Sequence, residues 1–263
     1  MNEASSRLYE VLQEHCRFAT VPVAVKLAKK GDATPQKFRR PLAQVGKRLA
    51  VCQGMTLART IGWSMAFGND DHACPLPRVF MGHIAPDRFL EGGLGEFYQD
   101  DPGCMKIMEA SYPRWPVDIY HEIWLAPLNR CEFVPDLVVA YGNPAQIVAL
   151  IQGANFRQGP GIRSSSSGRY GCSFWIAGVL QSGDCTYMVP GPGERIFAGT
   201  QDHEMSFAIP YQKFGQIMDG LKYIRSRGAY RYPVPNLAVL SEPQIPEKYY
   251  QIVPPAALPG DNG

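Results

Sequence analysis

The chain predicts a mixed α/β protein: a central sheet of five or more strands, combining parallel and antiparallel pairs, with helices covering it. Two observations carry that expectation. Short apolar runs such as VAVKLA, DLVVAYG and MSFAIP alternate with amphipathic stretches of helical period. Hydrophobic residues make up 45% of the chain and charged residues 19%, a balance that builds a core rather than a disordered segment. A length of 263 residues is enough for one large domain.

Each element follows from local signals. Residues 3–17 predict a helix, with Leu8, Val11, Leu12 and Cys16 along one face. VAVKLA is a strand closed by the charged turn KKGD, and a polar loop runs on to Lys47. LAVCQGMTLARTIG passes from strand into a helix ending at Gly62, and WSMAFG is a further strand. A short helix over 75–82 begins at Pro75, a residue suited to a first helical turn. Residues 86–99 form a helix broken by glycines, and 103–111 another helix.

In the second half, HEIWLAPL and DLVVAYGNP are strands, the latter stopping at Asn143-Pro144, and AQIVALIQGANF is an amphipathic helix. The loop GPGIRSSSSGRYG delivers Cys172 to the start of the helix CSFWIAGVLQ. CTYMVP and RIFAG are expected as strands flanking the turn GPGE, followed by the strand MSFAIP and a helix from Tyr211 to Arg227. Residues 1–228 are therefore assigned to one α/β domain. The proline-rich remainder, 229–263, is assigned to an extended arm lying across a neighbouring subunit, with a frayed tail as the alternative.

Composition excludes several classes. A net charge of +2 is too small to argue for nucleic acid or an anionic membrane surface. No apolar run approaches the roughly 20 residues that span a bilayer. The opening MNEASSRLYEVLQEHC lacks the pattern of a signal peptide. A cytoplasmic protein with reduced thiols is expected. Nucleophile-elbow, H-E-x-x-H, P-loop and dinucleotide fingerprints are all absent.

Seven cysteines are an odd number for a disulfide framework, which leaves buried hydrophobe, metal ligand or nucleophile. Cys52, Cys74 and Cys172 share a context, each where a helix begins. Unpaired N–H groups at such a start favour thiolate, the form that binds metal. No C-x-x-C pair exists, and the spacings match no compact zinc or ferredoxin signature.

Several stretches together resemble one family. They are PVAVK (Pro22 to Lys26), Cys52 with its helix to Gly62, Cys74, IYHEIWLAPL (Ile119 to Leu128), PDLVVAYGNPAQ (Pro135 to Gln146), Cys172, and DHEMSFAIP (Asp202 to Pro210). The pattern is similar to domain of unknown function 169, a family of uncharacterised prokaryotic proteins frequent in anaerobes. The resemblance implies that Cys52, Cys74 and Cys172 form one set, and that Cys16, Cys104, Cys131 and Cys185 stand outside it. It implies no chemistry.

A soft three-thiolate set selects an iron–sulfur cluster or zinc. The expectation is a [4Fe-4S] cluster on Cys52, Cys74 and Cys172 with one iron open, and His72 or His203 as a possible fourth ligand. Zinc, or purely structural thiols without a cofactor, are the alternatives. Arg163, Arg169 and Arg195 are candidates to position a small anionic substrate, and Asp202, His203 and Glu204 to supply acid–base groups. Flexible loop and surface turns explain these polar residues equally well, as capping explains Asn143. A lyase or oxidoreductase is one expectation; a non-catalytic electron-relay subunit, as a homo-oligomer or docked on a redox partner, is the other.

Overall fold

Register builds one sheet from six strands: β1 (Val23–Ala28), β2 (Met65–Phe67), β3 (Glu122–Pro127), β4 (Leu137–Gly142), β5 (Thr186–Met188) and β6 (Met205–Pro210). Their spatial order is β2-β3-β1-β4-β6-β5. This is a computed structural model and describes residues 2–233, 245 and 247–252. The mixed α/β class stands. The strand directions differ from expectation, because β1 runs against both β3 and β4, and β6 against both β4 and β5. Every pairing between these strands is antiparallel; parallel contact is confined to the isolated bridges Arg39–Met65 and Leu49–His72.

The helices are α1 (Glu3–His15), α2 (Val51–Thr56), α3 (Leu76–Phe80), α4 (Asp87–Leu90), α5 (Pro102–Ala110), α6 (Pro144–Ala154), α7 (Val179–Ser182), α8 (Pro192–Ala198) and α9 (Phe214–Ser226). They cover both faces of the sheet. Successive strand residues point to opposite sides, so each strand feeds two cores. Ala24, Val138, Ala140, Phe207 and Ile209 face a regular helical layer of α1, α6 and α9. Val23, Val25, Val139 and Tyr141 face the other layer, where α2, α3 and the segment before α7 supply Met55, Phe80 and Trp175. Double coverage explains why EIWLAP and LVVAYG are buried along their whole length.

That second layer is irregular. α2 runs on into a π-turn at Leu57–Ile61, and a π segment at Ser173–Gly178 precedes α7. Such turns are found frequently at functional sites. RIFAG is not a strand but the body of α8. Gly191 caps the helix, Pro192 occupies the first turn, the Glu194 carboxylate accepts from the Gly191 N–H at 3.2 Å, and Gly199 closes it at φ +65°. Proline near the start and a left-handed glycine just past the end are helix punctuation, which outweighs the β-propensity of Ile196 and Phe197.

The chain divides into two compact units, Met1–Pro233 and Val234–Gly263. Within the second, a 3-10 helix at Glu247–Ile252 is described. Of the expected arm, residues 229–233 belong to the first unit, where Tyr230 packs on the core and the Asn143 amide donates to the Tyr232 hydroxyl at 3.0 Å; 234–244, 246 and 253–263 lie outside the described residues.

Candidate functional site

Three segments from distant parts of the chain meet over the second face of the sheet and enclose a cavity of about 290 Å³. Cys52 sits in the first turn of α2, Cys74 just before α3, and Cys172 caps the π segment; all three line this cavity. Nearby main-chain N–H groups favour the thiolate at each: Leu76 for Cys74, Gln53 and its own for Cys52, and its own for Cys172. Burial pushes the Cys52 thiol up to about 12, with Glu194 and Cys74 adding repulsion. Burial raises Cys172 as well, and Cys74, Cys52 and Glu194 act the same way. Cys74 raises Cys52, and both raise Cys172, so the thiols stand near enough to feel one another's charge. Left alone they are neutral thiols; a bound cation is what converts such a set to thiolates.

The other four cysteines are placed differently. Cys16, Cys131 and Cys185 pack in the core on the opposite face of the sheet. Cys104 is exposed near the start of α5, its N–H bonded to Asp101 at 2.6 Å.

Behind the thiols stands Glu194, a buried carboxyl that sequence reasoning missed. Burial raises its pKa, against the opposing pull of the Gly191 N–H and the Tyr141 hydroxyl, which donates to it at 3.1 Å. Tyr141 in turn lies under the Arg59 guanidinium, 4.3 Å from the ring centre, and Arg59 holds Glu204 through two hydrogen bonds of 2.5 and 2.9 Å. Pro192 and Gly199 in GPGERIFAG were the signal that would have found Glu194, because they mark a helix that turns it inward. Gly171 is obligatory for the fit: a Cβ there would lie 2.5 Å from a Glu194 oxygen and 3.0 Å from the Trp175 indole nitrogen. Gly191 likewise lets α8 approach the 168–169 backbone: a Cβ there would lie 2.7 Å from the Gly168 carbonyl oxygen.

The remaining candidates divide sharply. Arg169 is buried and lines the cavity. Arg163 is exposed and lines a different hollow. Arg195 turns outward, bonding the Gln201 carbonyl at 2.8 Å and Asp202 at 3.1 Å. His203 is exposed, and Glu204 belongs to Arg59. His72 is buried, yet it packs against Phe67 and His83, at 5.5 Å between ring centres in each case, and is not part of the cavity wall. Asn143 caps α6, its side chain accepting from Gln146 N–H at 3.0 Å.

Among the described residues, no three His, Cys, Asp or Glu side chains stand where they could grip one metal ion. No helix among them is long and apolar enough to cross a membrane.

Fold and cavity together define an antiparallel α/β protein with a thiol-lined pocket. The chain belongs to the domain of unknown function 169 family, described as "Uncharacterised ArCR", whose profile matches residues 11–220. It is also similar to "Uncharacterized protein MJ0308" of Methanocaldococcus jannaschii, 26% identical over 210 residues that cover 77% of this chain and 87% of that protein. No solved structure matches it.

Proposed function

We propose that the cavity houses an iron–sulfur cluster held by Cys52, Cys74 and Cys172. One observation carries this: of seven cysteines, the three at helix starts line a single cavity, while three pack on the far side of the sheet and one faces outward. The donor set fits. Three soft sulfurs, each with a main-chain N–H nearby that favours the thiolate, suit an iron–sulfur centre. A single zinc ion needs its ligands within one tetrahedral shell, and among the described residues no three His, Cys, Asp or Glu side chains are so placed. A cubane binds each cysteine through a different iron.

When bound, a cluster with three protein ligands leaves one iron available as a Lewis acid or electron conduit. The chain supplies the rest. Trp175, Leu76 and Pro77 exclude water from the thiols. Glu194, kept by burial above the usual carboxyl range, is a proton source and sink beside Cys52. The Glu204–Arg59–Tyr141 chain fixes its orientation.

A second reading has its own support. Ile196 and Phe197 on the cavity wall are 76% and 55% exposed, an apolar rim suited to a docked redox partner, and the protein then relays electrons instead of turning over a substrate. Activity appearing only beside a partner, with no substrate-induced change in the cluster's paramagnetic resonance, selects that reading.

Anaerobic purification with iron and sulfide supplied tests the proposal. The expected protein is brown, absorbs broadly in the visible and carries iron and sulfide in equal amounts. A folded, colourless, iron-free product refutes it.

A further inference from the structure

A second hollow, of about 440 Å³, opens in the helical layer on the other face of the sheet. The end of α1 gives it Arg17, the last turn of α9 gives Ile224 and Arg225, and the segment after α9 gives Tyr230, Arg231 and Tyr232. Three arginines on one hollow are a local concentration of charge in a chain whose net charge is only +2. Arg225 is partly engaged: it donates Nη1 to the Glu14 carbonyl at 2.9 Å and lies 3.7 Å from the Glu14 carboxylate, the ordinary use of a cation at a helix end. Arg17 and Arg231 are exposed, and among the described residues no carboxylate lies within ion-pair distance of either. Two positive charges therefore stand uncompensated.

Arg17 is also held in an unusual backbone state. It follows the cap of α1 in the left-handed region, φ +52°, a place at a helix end that favours glycine. The Gln146 amide fixes it there by donating to the Cys16 and Arg17 carbonyls, each at 2.9 Å. A long cationic side chain kept where glycine fits best points to a use for that side chain. The remaining wall suits an organic body. Leu221, Ile224 and Pro233 present carbon. Tyr230 is tied by its hydroxyl to the Ala145 carbonyl, while the Tyr232 hydroxyl accepts from Asn143 and keeps its own proton to give. The volume falls in the range of small-molecule sites and exceeds what a bare ion needs. Guanidinium forks match phosphate oxygens, and two uncompensated charges match a phosphate monoester dianion.

We propose that this hollow binds a small-molecule phosphate monoester, its phosphate held by Arg17 and Arg231 with Arg225 beside them, and its organic part laid against Tyr230, Tyr232 and Ile224. The site is separate from the thiol-lined cavity and does not depend on the cluster reading.

Calorimetric titration of the full chain with phenyl phosphate tests it, with inorganic phosphate and phenol as controls, at low and at high salt. Phenyl phosphate is expected to bind saturably and to weaken as salt rises, inorganic phosphate to bind more weakly, and phenol not to bind. Arg17→Met and Arg231→Met each remove a charge-assisted contact and are expected to weaken phenyl phosphate roughly five- to fiftyfold. Both side chains are exposed, so neither substitution opens the core, and each variant checks the other. Arg163→Met, at an exposed arginine on a different hollow, is expected to change nothing. The proposal is overturned if phenyl phosphate does not bind saturably, or if inorganic phosphate or phenol binds as tightly. It is equally overturned if Arg17→Met and Arg231→Met bind unchanged, or if Arg163→Met weakens binding as much as they do.

Discussion

Glu194 shows how one residue ties the site to the fold. Its two oxygens are held by a helix start and by a strand tyrosine, and the nearest glycine position leaves no space for a methyl group. Gly171→Ala is therefore expected to displace Glu194 or Trp175 and lower stability by about 1–3 kcal/mol, the usual cost of overfilling a packed site. Thermal unfolding together with tryptophan emission measures both effects. Removing Arg59 is expected to cost more. Arg59→Met leaves Glu204 as a largely buried carboxylate without its partner, a loss of about 3–5 kcal/mol. Denaturant titration checks it. Two neighbouring histidines give a pH dependence: burial first, then His83 and Arg78, lower His72 to about 3, and burial first, then His121 and Arg78, lower His83 to about 4, with Glu122 pulling the other way. Below pH 6.5 the unfolded chain protonates these rings while the native one does not, so stability falls as pH drops, by at most about 1.4 kcal/mol per unit for each ring down to pH 4. Urea midpoints across pH 7 to 4 should fall less steeply in His83→Gln than in the unaltered protein; an unchanged slope contradicts the assignment.

At the scale of elements, stop signals decided what was legible. The long strands, α1, α6 and α9 follow from periodicity, because each lays a clear apolar face on the sheet. Asn143 and Gln146 form a reciprocal cap on α6, and Asn143→Ala is expected to cost about 1 kcal/mol in thermal or urea unfolding. Over RIFAG the β-propensity of Ile196 and Phe197 predicts a strand, while Gly191, Pro192 and Gly199 carry the message of α8, and reading the strand hides Glu194. Arg163, Arg195 and His203 stand out by charge and proximity in sequence, but charge alone does not say which way a side chain turns. Arg169 does face the cavity, and its tyrosine stack, assembled from residues 98, 112 and 170, has no local signature. Strand direction was equally invisible, since alternation reports burial and not the neighbour's polarity.

At the scale of the whole molecule, the sheet is a partition. One face carries a regular helical layer with Cys16, Cys131 and Cys185 in its core; the other carries short, irregular helices whose starts bring Cys52, Cys74 and Cys172 to one cavity. The proposed cluster site lies on that second side alone. Cluster content across seven single cysteine-to-serine variants, each purified anaerobically with iron and sulfide supplied, tests this division most directly. Cys52→Ser, Cys74→Ser and Cys172→Ser should each lose most of the bound iron and sulfide, and the other four should retain it. Equal content in all seven, or none in the unaltered protein, contradicts the assignment of these three sulfurs to one cofactor.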